Sequence, residues 1–306
     1  MPQPQYEGYT RGNPTVPLQE RFGGTKTYAQ EARSILTPAS GFIAAFDFTL
    51  NPYRGCQYGC SYCYAAAFSP NPVMRQDWGN WVAIKRNTAA LLERALARWS
   101  RKHPERAPHI YMSSATDPYQ PIEAQRQLTR QLLAVMVRYQ PTLVVQTRSP
   151  LLVRDHDLLA QLQRLQIDFS VPTGSERVRR DFEPRSPSVK ARLQAVARLK
   201  RELPGSARFV ITMTPLLPTF PQDEAALLER LAVADRVVLQ PFHASDGRTL
   251  AASTRSEGVA LKQYYRWWYA NEQSRYRAFR ERLRARLKGV TLAEGKAGFG
   301  YIGART

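Results

Sequence analysis

The chain has 306 residues, 43% of them hydrophobic, and its 44 Lys and Arg against 25 Asp and Glu give a formal net charge of +19. This length and apolar content predict a globular protein with a substantial core, either two ordinary domains or one large α/β barrel. The sequence has neither the roughly 18–20 consecutive apolar residues that a membrane span needs nor a signal-peptide core near its start, which predicts a cytoplasmic protein without a membrane partner.

Residues 1–38 are rich in Gly, Pro, Gln and charge and show little periodicity. We expect an extended arm without an independent fold there. From about residue 43, short β-rich apolar runs alternate with amphipathic stretches, which is the pattern of successive βα units. The predicted strands cover residues 42–50, 109–114, 142–148, 167–173, 208–214 and 236–242.

Helices are predicted between these strands and after the last one, and a Gly-rich tail ends the chain. Six parallel strands joined by right-handed crossovers form either an open doubly wound sheet or a partial barrel, and both place functional loops at the carboxyl ends of the strands. We divide the chain into an arm (1–38), a barrel (39–250) and a C-terminal helix with its tail (251–306). The predicted helices cover about residues 82–102, 123–139, 154–164, 188–202, 222–233 and, as a basic helix, 257–288.

All three cysteines of the chain, Cys56, Cys60 and Cys63, lie in one loop after the first predicted strand, in "NPYRGCQYGCSYCYA". An odd cluster of thiols in a large chain without an export signal favours metal binding over disulfide bonding. Thiolates suit iron–sulfur clusters, and a four-iron cluster with three protein ligands leaves one iron open. A structural zinc site with three cysteines is the alternative.

This loop resembles the signature of the radical S-adenosylmethionine (radical SAM) superfamily, C-x3-C-x-aromatic-C, with Tyr62 at the aromatic position. The segments "SSATDPYQPIE", "QTRSPLLVRDHDLL" and "DFEPRSPSVKARLQA" resemble the spore photoproduct lyase-like branch, so that the likeness spans about residues 42–245. The resemblance implies an α/β fold with a partial (β/α)6 TIM-type barrel and one [4Fe-4S] cluster. It also implies S-adenosylmethionine on the open iron, which is cleaved to a 5′-deoxyadenosyl radical, and a flavodoxin- or ferredoxin-type electron donor.

The resemblance places the remaining cofactor contacts at the ends of the second to fifth strands. Arg148 is expected to bind the methionine carboxylate, because its guanidinium offers a forked pair of donors. Structural explanations exist for several of the others, since Asp117-Pro118 is a natural turn pair and Met213 suits a core. The candidate cofactor-binding residues are Ser113, Ser114, Thr116, Asp117, Arg148, Ser170, Met213 and Pro215.

One departure from the branch concerns hydrogen return to the product. Spore photoproduct lyase uses a further cysteine near the end of the second strand, whereas this chain has only Ser113 and Ser114 in the corresponding stretch, "MSSATD". An O–H bond in serine is too strong for a convenient hydrogen donor. A tyrosine donor and return transfer from 5′-deoxyadenosine both stay open, and Tyr62, Tyr64 and Ser114 are the candidate catalytic residues.

Two basic segments are candidates for binding nucleic acid, which the charge also favours, although a solvated basic surface explains that charge equally well. The first, "SERVRRDFEPRSPSVKARL", provides Arg177, Arg179, Arg180 and Arg185. The second, residues 262–288, interleaves arginines with aromatic rings that suit either base stacking or a buried helix stripe. For its aromatic residues, the buried stripe is the preferred interpretation.

Taken together, these features predict a radical SAM enzyme that abstracts hydrogen from a nucleic-acid or nucleotide substrate, with DNA photoproduct repair as the reaction of the resembling branch. A radical SAM enzyme that acts on a peptide or small metabolite is an alternative. A non-catalytic protein that uses the cluster for nucleic-acid binding or redox sensing is another. The sequence does not predict the oligomeric state.

Overall fold

Strands and helices alternate along the chain, as the sequence predicts. The fold is taken from a computed structural model, which describes residues 16–242 and 255–303. Its strands are β1 (Val16–Phe22), β2 (Thr25–Gln30), β3 (Leu36–Pro38), β4 (Phe48–Leu50), β5 (Tyr53–Arg54), β6 (Trp81–Lys85), β7 (His109–Met112), β8 (Thr142–Thr147), β9 (Leu165–Ser170), β10 (Arg208–Met213), β11 (Arg236–Leu239) and β12 (Thr291–Glu294). Its helices are α1 (Pro72–Gln76), α2 (Thr88–Lys102), α3 (Glu123–Arg126), α4 (Leu128–Tyr139), α5 (His156–Leu159), α6 (Glu176–Phe182), α7 (Val189–Glu202), α8 (Pro221–Leu231), α9 (Ser256–Tyr264), α10 (Arg266–Tyr269) and α11 (Glu272–Arg286).

The main sheet has eight strands in the order β12-β11-β10-β9-β8-β7-β4-β3. Neighbouring strands from β4 to β12 are parallel, and β3 runs antiparallel to β4. The two edge strands, β3 and β12, do not pair with each other in the described part of the chain, so the sheet is a barrel that stays open. This architecture confirms the predicted α/β partial barrel.

The core lies on both sides of this sheet, because successive side chains of a strand point to opposite faces. Outward-facing residues such as Ile167 and Ile211 are fully buried and pack with the helices in the main hydrophobic cluster. Inward-facing residues such as Tyr111 and Val210 form a separate cluster inside the barrel. The strands therefore present one face to the helices and the other to an interior that opens towards the cysteine loop.

The N-terminal arm is more ordered than predicted in its described part. Strands β1 and β2 form an antiparallel hairpin, and β2 continues in parallel onto β6, where Lys26 lies opposite Trp81. Strand β6 also pairs with β5, directly before the cysteine loop. Residues 16–30 of the predicted extended arm are therefore strands of a small second sheet, which satisfies their backbone hydrogen bonds by pairing onto β6; residues 1–15 lie outside the described part.

Other predicted elements differ at their ends. The first predicted strand begins only at Phe48. The helix predicted over 82–102 starts as strand β6, because the segment "WVAIK" pairs with neighbouring strands and its apolar side chains are buried. The single basic helix predicted over 257–288 is three helices, α9 to α11. None of the helices in residues 16–242 and 255–303 is long and apolar enough to cross a membrane. The predicted boundary at residue 250 lies in 243–254, outside the described residues.

The predicted Gly-rich tail contains strand β12 and a plug at the amino-terminal end of the barrel. Gly298 lies so close to β11 that a Cβ there would be 2.3 Å from Val238 Cγ1, which only glycine avoids. Arg236 Nη1 donates to the carbonyls of Gly298 and Gly300, at 3.1 and 2.7 Å, and Phe299 packs inside the barrel. The tail thus closes the end of the barrel opposite the cysteine loop.

Candidate active site

The cysteine loop is pinned to the barrel from both sides. Gln57 exchanges hydrogen bonds with the start of the α3 region, since its amide N donates to Gln120 Oε1 at 2.9 Å and its Oε1 accepts from the amide of Ile122 at 2.7 Å. On the other side, the amide of Ser61 donates to the carbonyl of Phe182, at 2.9 Å. The positions of the three thiols are therefore set by segments far away in sequence.

The backbone of the loop also needs glycine where it meets a neighbouring turn. Gly59 has φ +60° and Gly79 has φ +101°, a conformation that costs other residues about 1–3 kcal/mol. A Cβ on Gly79 would lie 2.8 Å from the Cα of Gly59. The cysteine loop and the turn at Gly79 can thus pack at van der Waals distance only because both positions are glycine.

Replacing Gly79 with alanine should therefore displace the cysteine loop. We expect a lower melting temperature and reduced iron incorporation, since the new methyl group meets backbone that cannot rotate away. Gly205→Ala is the matched control, because a Cβ at Gly205 meets nothing within 4 Å and the residue has no positive φ. Equal iron content and thermal stability in the two variants would contradict this prediction.

The three thiols line one cavity of about 700 Å³ at the carboxyl ends of the strands. The cavity also brings together most of the side chains that the sequence predicts for the site, which come from four different strand ends. Predicted residues that line it are Cys56, Cys60, Tyr62, Cys63, Tyr64, Ser113, Ser114, Thr116, Asp117, Arg148, Ser170 and Pro215.

Met213 is the exception among the predicted cofactor contacts. Its side chain is fully buried in the main hydrophobic cluster, on the outer face of β10, and does not line the cavity. The prediction for Met213 is therefore wrong, because the alternation of the strand turns it towards the helices. The neighbouring Thr214 and Gln240, which directly follows strand β11, line the cavity instead.

Several of the predicted polar contacts already have partners within the protein. Asp117 Oδ1 accepts from Thr147 Oγ1 at 2.7 Å and from the amide of Tyr119 at 2.9 Å, and its Oδ2 accepts from the amide of Arg148 at 3.0 Å. Thr116 Oγ1 donates to the carbonyl of Gly55 at 2.6 Å. These two side chains brace the end of β7 against β8 and against the cysteine loop.

Ser113 and Ser114 differ in whether their hydroxyl groups have hydrogen-bond partners within the protein. Ser114 Oγ accepts from Asn51 Nδ2 at 3.2 Å, and Tyr64 Oη donates to the carbonyl of Ser114. Ser113 Oγ is buried and has no hydrogen-bond partner among the described residues. A buried hydroxyl without a partner destabilises the fold, so a ligand that hydrogen-bonds to Ser113 Oγ would remove this cost.

Arg148 joins the cysteine loop to a buried ion-pair network. Its Nη1 lies 3.0 Å from Cys60 Sγ and 3.0 Å from Tyr62 Oη, and it donates to Glu183, which also accepts from Arg192 and from Tyr62 Oη. Although burial opposes it, the two guanidinium groups hold the pKa of Glu183 below its usual value. No hydrogen bond within the described residues engages Arg148 Nη2, which leaves a donor facing the cavity.

Glu183 is the functional residue that the sequence analysis missed. It lies in "DFEPRSP", a segment that the sequence analysis uses for its likeness to the branch and for its positive charge, without a role for its carboxylates. The available signal was a carboxylate within a basic stretch that also contains Glu176 and Asp181, since a carboxylate needs cationic partners when it is buried. Its partners, Arg148 and Tyr62, lie 35 and 121 residues away in sequence.

The donor set consists of three thiols, which are ligands that suit an iron–sulfur cluster. The three cysteines are free thiols within the cavity, and no group of three His, Cys, Asp or Glu side chains in the described ranges converges as the ligands of one metal ion would. Burial raises the pKa of the Cys60 thiol to about 12 and that of the Cys56 thiol well above its usual value. Iron must therefore displace protons from neutral thiols when it binds.

Deeper in the barrel, Asp168 is a buried carboxyl with little compensation. Its Oδ1 accepts from Gln166 Nε2 at 2.7 Å, and its Oδ2 has no hydrogen-bond partner among the described residues. Burial raises its pKa to about 7, although Gln166 and Arg236 oppose the shift. At neutral pH the group is therefore near its midpoint.

This pKa predicts a pH-dependent stability that Asp168→Asn removes. Because the folded-state pKa of about 7 exceeds the ordinary value of 3.8, the unfolded chain releases its proton first, and the stabilisation is lost as pH rises from about 4 to 7. As pH rises, the free energy of unfolding should fall more steeply in the wild type than in the variant, and the two slopes should differ by roughly 1.4 kcal/mol per pH unit. Urea unfolding at pH 5, 6 and 7 measures this, and Asp157→Asn, whose exposed carboxyl has a pKa of about 2, should keep the wild-type slope.

The predicted nucleic-acid residues do not face the cavity. Arg177, Arg180 and Arg185 are exposed, and Arg185 reaches across to Gly79 and Asn80. Arg179 is buried, pairs with Glu176 and donates to the carbonyls of Glu183 and Ser186. Its predicted role on a nucleic-acid surface is therefore wrong, because its guanidinium serves the turn after α6.

The aromatic residues of the second basic segment form a buried stripe, as preferred from the sequence. Trp268, Tyr276 and Phe279 are buried, and the ring of Trp267 stacks on Phe220 with centroids 5.2 Å apart. These side chains attach the C-terminal helices to the barrel. They leave no row of exposed platforms for bases, apart from Tyr264, which is 60% exposed.

Comparisons with known proteins identify the family of the chain. A family model described as the radical SAM superfamily matches residues 50–231. An uncharacterized protein of Methanocaldococcus jannaschii is 34% identical over 157 residues, which are 51% of this chain and 56% of that protein. An uncharacterized protein of Mycobacterium tuberculosis is 27% identical over 294 residues, which cover 87% of this chain and 80% of that protein.

Solved structures share the fold at low sequence identity. Spore photoproduct lyase complexed with dinucleoside spore photoproduct superposes with a TM-score of 0.58 at 13% identity, covering 87% of this chain and 81% of that chain. Streptococcus suis SuiB bound to precursor peptide SuiA has a TM-score of 0.50 at 12% identity, covering 80% of this chain and 48% of that chain. At such identities the likeness concerns the fold alone.

Proposed function

The chain belongs to the radical SAM superfamily, and from this premise we propose that it is an enzyme that removes a hydrogen atom from a nucleobase-containing substrate. The superfamily implies a [4Fe-4S] cluster and S-adenosylmethionine. Cys56, Cys60 and Cys63 are the proposed cluster ligands. The observation that carries the proposal is the single cavity that these three thiols share with open polar donors and exposed aromatic rings.

The residues of the cavity have separate proposed roles towards the cofactor. Arg148 Nη2 is oriented by the pairing of Nη1 with Glu183 and offers a hydrogen bond to the methionine carboxylate. Ser113 and Ser170 offer hydroxyl groups from the ends of β7 and β9, which lie on either side of β8, and Pro215 lines the apolar side. When bound, the cofactor pair supplies one-electron cleavage of a sulfonium bond and thereby a carbon radical able to remove hydrogen.

Partly exposed aromatic rings that line the cavity support a planar substrate. Phe42, Tyr64 and Phe68 are 40%, 40% and 41% exposed, although apolar rings of this size are normally buried. All three line the cavity, in which apolar surface predominates, together with Phe299. Rings exposed in this way suit stacking on an unsaturated base, and the net charge of +19 suits the phosphates of a nucleic acid.

Hydrogen return is proposed to involve tyrosine, since all three cysteines of the chain are cluster ligands. Tyr62 Oη donates to the buried carboxylate of Glu183, which orients the phenol. Transfer of the phenolic hydrogen atom to the product radical would break the O–H bond, form a C–H bond in the product and leave a neutral tyrosyl radical on Tyr62. Tyr64, which follows Cys63 in sequence, lines the same cavity. Ser114 is assigned a positioning contact to Tyr64 through its carbonyl oxygen.

The test combines two products. Anaerobically reconstituted protein is mixed with S-adenosylmethionine and dithionite, and 5′-deoxyadenosine is measured with photodamaged DNA, undamaged DNA or a deuterated peptide mixture. We expect 5′-deoxyadenosine in all mixtures and deuterium transfer from labelled damaged DNA. Absence of 5′-deoxyadenosine would refute the enzyme class, whereas label arriving only from the peptides would refute the nucleobase substrate.

Phe68→Ala should weaken substrate binding without affecting the cofactor. Base–aromatic stacking contributes about 1–3 kcal/mol, so KM for the labelled DNA is expected to rise roughly 5- to 150-fold while 5′-deoxyadenosine formation without substrate is unchanged. Val259→Ala, which truncates an exposed apolar side chain on α9, is the control. An unchanged KM in Phe68→Ala would remove this ring from the substrate site.

A further inference from the structure

Uncharged hydrogen-bonding side chains line the cavity at the ends of four successive strands. They belong to β8, to β9 and to the positions directly after β10 and β11, and they are Gln146, Ser170, Thr214 and Gln240. Ser170 is assigned to the cofactor above, and Thr214 directly precedes Pro215, which has the same assignment. The two glutamines have no part in the proposed cofactor site.

The glutamine on β8 has one end that is fixed by a neighbouring phenol. Tyr111 Oη donates to Gln146 Oε1 and has no other hydrogen-bond partner among the described residues. The ring of Tyr111 is itself held in place, because it is buried and packs edge-on against Phe46, with centroids 5.1 Å apart. The oxygen of the Gln146 carboxamide is therefore occupied, and the N–H groups of Nε2 form its free end.

No acceptor within residues 16–242 and 255–303 takes up these N–H groups. Asp168 lies opposite Gln146 on β9, yet no donor of these residues reaches Asp168 Oδ2. Gln146 is only partly buried and lines the cavity. A donor that is held at the wall of a mainly apolar cavity gains most from an acceptor on the bound ligand.

The second glutamine, Gln240, has no fixed end. Met213 lies opposite Leu239, so the residues that follow them are neighbours. The side chain of Gln240 makes no hydrogen bond within the described part of the chain. A carboxamide that is free at both ends can turn over and present either its oxygen or its N–H groups. Gln240 can therefore bind a polar edge but cannot by itself distinguish a donor from an acceptor.

The fixed carboxamide of Gln146 stands beside aromatic rings. Its partner Tyr111 shares the hydrophobic cluster inside the barrel with Phe299, and the ring of Phe299 lies edge-on to that of Phe42, with centroids 6.2 Å apart. Tyr111, Phe299 and Phe42 all line the cavity. Aromatic walls contact the faces of a planar ligand, which leaves hydrogen bonding to its edge. At that edge Gln146 offers donors only.

We propose that Gln146 selects a base that presents a ring carbonyl, as in uracil, thymine or guanine, over a base that presents an amino group there, as in cytosine or adenine. The inference rests on the proposed function, because it assumes a nucleobase in this cavity. Nε2 donates to the carbonyl oxygen of the first kind of base. An amino group at the same place would bring two donors together and leave both without an acceptor.

The test compares two fluorescein-labelled DNA strands that carry a single base, uracil or cytosine, among abasic sites. The strands have the same phosphates and differ only where uracil has a carbonyl and cytosine an amino group, with the adjacent ring nitrogen. Fluorescence anisotropy measures their affinity for the anaerobically reconstituted protein with S-adenosylmethionine and without reductant. We expect the wild type to bind the uracil strand about fivefold or more tightly than the cytosine strand.

In Gln146→Met this ratio should fall close to one. The affinity for a wholly abasic strand, which measures the phosphate contacts alone, should stay the same. Gln240→Met is the matched control, since it makes the same substitution in the same cavity and should preserve the ratio. Tyr111→Phe keeps Gln146 but removes the phenol that fixes it, and should lower the ratio, which a purely packing role of the tyrosine would not do.

The outcomes separate this inference from the proposed function. Equal affinities of the wild type for the two strands, or a preference for cytosine, would overturn the selection by a carbonyl. So would a uracil preference that survives in Gln146→Met or disappears only in Gln240→Met. If neither base-bearing strand bound more tightly than the abasic strand, the nucleobase substrate itself would be refuted, and the inference with it.

Discussion

Replacing Glu183 with glutamine is expected to lower the free energy of unfolding by about 3–5 kcal/mol. The carboxylate is fully buried and is the shared partner of Arg148 and Arg192, and the Arg192 side chain is also fully buried. Removing the negative charge leaves two guanidinium groups in a low-dielectric interior with a neutral amide between them. Desolvation of these cations, which the carboxylate now offsets, then counts against the folded state.

Urea unfolding of the wild type and variant at pH 7.5 measures this effect. Glu202→Gln is the matched control, because it removes an exposed carboxylate that pairs with Arg198 four residues earlier and should cost about 0.5 kcal/mol or less. A loss below about 1 kcal/mol in Glu183→Gln would contradict the prediction, since it would mean that the arginines find other partners or water.

The same variant tests whether the network reaches the cysteine loop. Arg148 Nη1 is held by Glu183 and lies 3.0 Å from Cys60 Sγ. When its partner is lost, the guanidinium is free to turn, and the N–H···S contact that tunes a cluster weakens. A shifted electron paramagnetic resonance spectrum of the reduced cluster in Glu183→Gln, absent from Glu202→Gln, is the expected signature.

The sequence predicts the cluster loop well and the network around it poorly, for one physical reason. The three cysteines lie within eight residues, so their spacing carries the information directly. Glu183 has no such local pattern, because its partners come from β8, α7 and the cysteine loop. Only the fold brings these segments together, and Arg179 shows the converse, since its charge suggested solvent while the turn after α6 buries it.

The fold shows the same division between local and distant signals. Strands β7 to β11 were predicted, since each is a compact apolar run followed by a helix. Strand β12, four residues long, gains its stability from pairing with β11 and lacks an apolar pattern of its own. Strand β6 is continuous in sequence with the amphipathic α2, so that its apolar residues were counted with the helix.

Cys60→Ala is expected to abolish cluster binding and with it all formation of 5′-deoxyadenosine. The thiol is buried beside Arg148, and the structure brings no fourth cysteine near it, since the chain has only three. With only three cysteines in the chain, titration of reactive thiols reports directly on the cluster ligands. After removal of iron and unfolding, the wild type should show three reactive thiols and the variant two, whereas the iron-loaded wild type should show none.

The control for this variant is the adjacent Ser61→Ala. The hydroxyl of Ser61 donates to the carbonyl of Phe182 at 3.2 Å, but its backbone amide makes a bond to the same oxygen that alanine retains. We therefore expect Ser61→Ala to keep its iron and its activity. If Cys60→Ala also kept a full complement of iron and the absorbance of a four-iron cluster, the ligand assignment would be wrong. The contact between Arg148 Nη1 and Cys60 Sγ would then only help to hold the loop in place, because the sulfur would bind no iron for this hydrogen-bond donor to influence.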